Sequence, residues 1–434
     1  MTTSPELTTP TGCPVSTLAA AFDPFESAYQ AHPGKSMAAA RKAEPVFYSP
    51  VLDYWVVTRY DDIKEIFKDT DTFSASITLD QITPSTDETI AILVQHGFNP
   101  GLALVNEDGP SHRERRMAHQ DPFKGREVEA LVPRIREIVN GYIDAFVKKG
   151  RADLMADLFQ EAPITIALIF MGIPDEDIAA CRQFTLDQTV FMYGRPSPEE
   201  QKQVASNLGR YWEFSGGLVE KIRQASEGPG WLPHLIRESE RKPGLFGDNE
   251  LQTTALAGLV AAHETTTNAS GNAMRALLEN PRTWERVCAD PELIPKAAEE
   301  SLRYDGSVAA WRRLAVKETT VGGVTIPKDA RVMMITSSAN HDEAVFEDPE
   351  RFDIDRPNPN RHMTFGFGAH ACMGATLARQ EMRIFIEELA RRLPHLRLVG
   401  EQRITYLPNT SFRGPQHLLV EWDPQLNPVP ADRP

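Results

Sequence analysis

Cysteine is scarce in this chain: four residues in 434, at Cys13, Cys181, Cys288 and Cys372. No two of them stand within the roughly two-to-four-residue spacing of zinc or iron–sulfur ligands, which excludes a metal site built from neighbouring cysteines. The same scarcity in so long a chain excludes a disulfide framework. Positive charge is also in deficit, with 46 Lys and Arg against 61 Asp and Glu and a formal net charge of −15. That balance argues against a nucleic-acid partner, whose phosphates need a basic excess. No apolar run approaches the ~20 residues of a membrane span. The longest candidates, APITIALIFMGI at 162–173 and ALAGLVAA at 255–262, read as buried helices. The first residues lack the basic stretch and apolar core of a signal peptide. No internal repeat is visible. The reading is a cytoplasmic protein without membrane attachment.

What remains is ordinary globular material, 41% hydrophobic and 25% charged, enough for one large domain. Residues 1–20 are rich in Thr, Ser and Pro without periodicity, which predicts a flexible segment. Residues 21–423 are expected to form a single domain. The stretch 424–434, with four prolines, reads as a Pro-rich tail or a linker cut short. Most of the domain has helical periodicity, and the strand-like pieces are few: residues 45–50, 54–59, 324–336 and 417–422. The fold class is therefore mainly α with a small β region. Residues 124–149 carry an apolar stripe ending before Gly150. A helix from Asp248 to about Asn280 has an apolar centre interrupted by His263-Glu264-Thr265-Thr266-Thr267. Burying such groups costs free energy unless they are paired, so function and packing compete there.

Cys372 lies in FGFGAHACMG, residues 365–374. The glycines permit positive φ and close backbone approach. A helix starting just after Cys372 would aim its N–H groups and positive dipole end at the sulfur, which favours a thiolate. Such a thiolate is suited to be the lone axial ligand of a haem iron, with Phe365 and Gly366 leaving room for the flat macrocycle. The plainer reading is a buried structural cysteine in a glycine turn.

The pattern F-G-x-G-x-H-x-C-x-G resembles the haem-binding loop of the cytochrome P-450 family, and it matches at every fixed position. Glu300 and Arg303 resemble the E-x-x-R pair of that family, and PERFDIDR at 349–356 resembles the segment whose arginine, here Arg356, completes a Glu–Arg–Arg network. An isolated E-x-x-R is usually a surface ion pair, so its weight comes from its order and spacing relative to Cys372. Residues 261–266, AAHETT, resemble the family's A-G-x-[DE]-T-T, with Ala262 where a glycine is usual. The resemblance covers residues 20 to 423.

It implies the cytochrome P-450 fold, haem b as cofactor, Cys372 as metal ligand, and Glu264 and Thr265 as the acid–alcohol pair beside a local opening of the helix. The alternative for Thr265 is a hydroxyl bonded back to the carbonyl four residues earlier. The resemblance also implies that Ala262, Phe365 and Gly366 border the haem. His112, Arg116, Arg313 and His370 would be partners of its two propionates, and Glu114 departs from the arginine many relatives carry. The implied reaction inserts one oxygen atom from O2 into a small hydrophobic or aromatic substrate, by hydroxylation or O-/N-dealkylation. Electrons would come from NAD(P)H through a ferredoxin or a flavin/iron–sulfur reductase, separate or fused, docking near Arg113, Arg116 and Arg379. A haem-thiolate gas sensor or carrier and a peroxide-driven peroxygenase are the alternatives. The expected substrate walls are residues 75–105 and 188–194, Leu259, Ala262, residues 308–310 and residues 409–411.

Overall fold

The central element is the helix Asp248–Glu279, in the computed structural model of the chain, which describes residues 8–10, 12, 15–182, 184, 188–225 and 228–426. Its 32 residues span about 48 Å at ~1.5 Å per residue. The helix is unbroken throughout. Four further helices pack around it: Ala162–Met171, Pro198–Ala225, Ile294–Tyr304 and Ala375–Arg392. The first of these is hydrophobic on every side and is buried accordingly. It stops at Gly172, whose φ of 78° is the left-handed closure that glycine permits. The stripe predicted over 124–149 forms the helix Gly125–Phe146, which buries Val128, Ile135, Val139, Ile143 and Phe146.

The β region is small. Its main sheet has five strands in the spatial order Val46–Ser49, Tyr54–Val57, Arg331–Met334, Trp311–Ala315 and Phe73–Ser74. The only parallel pair within it sets Trp55 opposite Val332. The strand expected over 324–336 is divided in two. Pro327 and Asp329, with φ of 64°, break it, so that Val324–Ile326 instead forms a hairpin with Thr319–Val321 through Gly322-Gly323. Strand Leu419–Glu421 pairs with Arg151–Asp153 and Arg397–Leu398.

Helix Thr17–Ala21 starts within the segment expected to be loose. Ser16 caps it, and its Ala19 is buried against Phe22 and Tyr29. Short apolar spacing, invisible as periodicity over five residues, accounts for the difference. Residues 427–434 of the expected tail, and Cys13, lie outside the described residues.

The helix Ile294–Tyr304 carries Glu300 and Arg303, whose side chains are both 0% exposed. Glu300 accepts two bonds of 2.8 Å from Arg303 and one of 3.2 Å from Arg356. Arg303 also donates to the carbonyls of Asn340 and Pro349. Desolvating these charges is compensated only because every one is paired with good geometry. The network ties the segment before the Cys372 loop to the helical body.

Candidate active site

Cys372 is held by the loop that precedes its helix. Its N–H donates to the Phe365 carbonyl at 2.8 Å. Gly366 and Gly368 have φ of 66° and 70°, and a Cβ on Gly368 would come 2.7 Å from the Phe67 carbonyl oxygen. The loop can close only with glycine there. The helix begins at Ala375, and the N–H groups of Gly374 and Ala375, with Arg116 and Arg379, favour the thiolate. Enclosure by the surrounding protein is the larger influence and raises the thiol's pKa overall, although Cys372 is itself accessible through the cavity it lines. The sequence expectation weighed the helix start without this cost. A coordinated metal would reverse the balance, because a coordinating thiol is deprotonated outright.

The sulfur opens into a cavity of about 310 Å³ whose walls include Phe67, Phe123, Phe170, Trp231, Trp311 and Phe412. Cys372, Phe365, Gly366, His370, Arg116, Ala262 and Thr265 all line it. Of the expected substrate walls, Leu104, Val105, Ala262 and Val308 do so. Leu259 instead faces the core, because it is turned about 100° round the helix from its wall-lining neighbour Gly258. Ala309 and Ala310 are buried away from the cavity, and residues 188–194 and 409–411 form a layer behind its wall: Asn409 donates to the Thr189 carbonyl and Thr410 to that of Tyr193.

Neither Arg313 nor His112 lines the cavity; each is packed behind a residue that does, Arg313 over the Phe67 ring at 5.5 Å and His112 against His370, and both carry buried donors without acceptors. Arg313 lies on the same face of its strand as Trp311 and donates from Nη1 to the Arg312 carbonyl at 2.7 Å, while its Nε and Nη2 have no partner. Burial lowers its pKa to about 10. His112 stacks on His370, ring centroids 4.2 Å apart, and its Nε2 is likewise unpartnered. Burial first, then the neighbouring His370 and Arg116, lower its pKa to about 4. His370 Nε2 is 3.3 Å from Asp108 Oδ1, and Arg116 donates to the Ala371 carbonyl. Buried donors are nearly always satisfied, so orphaned ones beside a cavity point to acceptors that belong there. A soft sulfur ligand, apolar walls and unpartnered nitrogens of a cationic Arg313 and a neutral His112 fit haem, with its iron, macrocycle and two carboxylates.

Glu264 and Thr265 diverge. Thr265 lines the cavity, but its hydroxyl donates to the Ala261 carbonyl at 2.8 Å, within a helix that does not open. Glu264 is absent from the wall and accepts from Thr189 at 3.1 Å. Burial raises its carboxyl to about 7. The sequence reading missed Glu381, the only carboxylate in the wall among the described residues, which is buried with an unpartnered Oε2. Its place nine residues after Cys372 on an amphipathic helix gave no signal beyond a surface charge.

Arg379, expected on a docking surface, is paired with Glu299 at 2.7 and 2.8 Å. Arg113 is exposed and has no ion pair among the described residues.

Comparison with known proteins agrees with this geometry. The chain matches the cytochrome P-450 family model over residues 220–397. It is 34% identical over 374 residues to the cytochrome P-450 monooxygenase PikC of Streptomyces venezuelae, covering 85% of each chain. The crystal structure of an intact type IV self-sufficient cytochrome P-450 monooxygenase superposes with a TM-score of 0.97 at 50% identity. That match covers 99% of this chain, which spans 56% of the length of that enzyme. The haem domain of a Tepidiphilus thermophilus relative superposes at 0.92 and 48% identity, over 95% of this chain and 99% of that one.

Proposed function

Because this chain belongs to the cytochrome P-450 family and is an oxidoreductase of its monooxygenase class, we propose that it binds haem b through Cys372 and oxygenates small hydrophobic or aromatic molecules. The observation that carries the reading is the Cys372 sulfur facing an aromatic cavity, with unpartnered Arg313 and His112 nitrogens packed directly behind its Phe67 and His370 walls. Arg313, His112, Arg116 and His370 would hold the propionates, and Phe365, Gly366 and Ala262 would border the ring. Haem supplies the redox chemistry, with dioxygen and electrons from NAD(P)H, by which one oxygen atom enters the substrate and the other becomes water.

The residues of the chain do the rest. The walls at Phe123, Phe170, Trp231 and Phe412 desolvate an apolar substrate and exclude water. Thr265 presents a hydroxyl to that space, and Glu264, poised to about 7, holds a proton one residue away. The likeness to a self-sufficient enzyme supports a flavin/iron–sulfur donor joined to the chain, with a separate ferredoxin as the other source.

Replacing Cys372 with His should abolish the red-shifted reduced-CO absorption band of the haem protein, and an unchanged band would assign the iron to another ligand. In Thr265→Ala, NADH oxidation should continue while product falls and hydrogen peroxide rises. NADH consumption compared with product, with and without reductase, separates this reading from a gas sensor, which turns nothing over, and from a peroxygenase, which needs no donor.

A further inference from the structure

Beside the Cys372 loop two ionisable groups, Arg379 and His362, meet the ring of Phe365, and a third, Glu299, holds them both. Glu299, on the helix Ile294–Tyr304, accepts from Arg379 Nε and Nη2 at 2.8 and 2.7 Å. It also lies 3.2 Å from His362 Nε2. The backbone N–H of Thr364 donates to His362 Nδ1 at 3.2 Å, so the proton of a neutral His362 sits on Nε2 and points at the carboxylate. Arg379 in turn stacks over Phe365, its guanidinium carbon 4.5 Å from the ring centroid, and the His362 ring is 5.6 Å from that same ring. Phe365 accepts the Cys372 N–H through its carbonyl and lines the cavity beside the sulfur.

These contacts form one chain of support. Glu299 fixes a planar guanidinium bidentately, the geometry in which arginine loses least freedom. The fixed guanidinium fixes the ring. The charge of Arg379 lies against the ring of the residue whose carbonyl holds the Cys372 N–H, two contacts from the sulfur-bearing residue. Glu299 offsets that charge almost at contact, and both side chains are largely withdrawn from water, 29% and 14% exposed, so solvent screens the pair only in part.

We propose that Glu299 is a positioning residue that clamps Arg379 and His362 against Phe365 and, by balancing the charge of Arg379, sets the reduction potential of the haem iron held by Cys372. The inference rests on the haem-thiolate reading. Glu299 touches neither sulfur nor cavity and acts through Arg379.

The test is a spectroelectrochemical titration of the one-electron ferric-to-ferrous couple in the haem-loaded protein, with electrons supplied through mediator dyes. Glu299→Gln leaves the Arg379 charge uncompensated, which stabilises the more electron-rich ferrous state, so the midpoint should move positive. Arg379→Gln leaves a carboxylate uncompensated, and the midpoint should move negative. The double variant should return towards the parent value, and Glu299→Asp should stay closer to it than Glu299→Gln. Opposite shifts that cancel are a signature of charge balance. A loosened loop would move every variant in one direction. The proposal is overturned if Glu299→Gln leaves the midpoint unchanged, or if both single variants shift alike. Should Glu299→Gln fail to load haem, the sign of the Arg379→Gln shift and the position of the double variant decide it. The reduced-CO spectrum is recorded on every sample. Absence of the red-shifted band in the parent protein would overturn the haem-thiolate reading instead, and is thereby distinguished from failure of the clamp.

Discussion

At Glu264 the cost of burying a carboxylate exceeds what the Thr189 hydroxyl returns, and the group is lifted from 4.5 to about 7. An acid with a raised folded-state pKa binds its proton more tightly in the folded protein, so its contribution to stability is full below about 4.5 and is lost as pH rises towards 7. The size is about 3 kcal/mol at most, from ~1.4 kcal/mol per unit. Glu264→Gln should therefore gain stability over the parent as pH rises through that window and hold the gain above it, as read by thermal denaturation of the haem-loaded proteins. A constant difference would mean that the carboxyl is not buried as described. The acid–alcohol motif was legible in six residues. The partner of Glu264 was not, because Thr189 lies 75 residues away on a short helix without periodicity. The same holds for Arg379, where sequence supplied a basic residue two turns past Cys372 and only packing supplied its counter-charge, Glu299.

Elements were legible where their period was long. The central helix was expected from Asp248 to about Asn280 and ends at Glu279; the strand expected over 324–336 was not one strand, because turn chemistry at Pro327 and Asp329 overrides alternation. The expected opening beside Ala262 is closed. Alanine favours helix by about 1 kcal/mol over glycine, and Thr265 has an acceptor within the helix at Ala261. The pair in E-x-x-R gained its meaning from the helix that buries it. Glu300→Ala would leave Arg303 and Arg356 charged, buried and without their carboxylate. Removal of one partner from such a network costs about 3–5 kcal/mol, so the variant should show a markedly lower denaturation midpoint or no soluble haem protein. A midpoint near that of the parent would show that Asn340, Pro349 and Arg351 carbonyls suffice for the two arginines.

Across the whole molecule, net charge and local charge differ in sign. The chain carries −15, yet Arg113 stands exposed, and near the Cys372 loop Lys64 lies 5.1 Å from the ring of the exposed Phe367, whereas its neighbour Lys68 is paired with Glu65 at 2.7 Å. With screening over ~8 Å at physiological salt, local positive charge of this kind would steer an acidic electron donor in spite of the net charge, which is the expectation to be tested. Arg113→Glu should slow the first electron transfer from a separate ferredoxin or flavin donor and flatten its salt dependence while substrate binding is kept, as followed by stopped-flow reduction. Equal rates at low salt would place docking elsewhere. Arg379, expected on the same surface, has its charge offset by Glu299. Two of the six tryptophans, Trp231 and Trp311, stand in the cavity wall, and Trp231 is anchored there by its 3.0 Å bond to His119. Light absorbed by these indoles should be handed to a haem held in the cavity and emitted once it is removed, so tryptophan fluorescence would serve as an optical gauge of the cavity's occupancy.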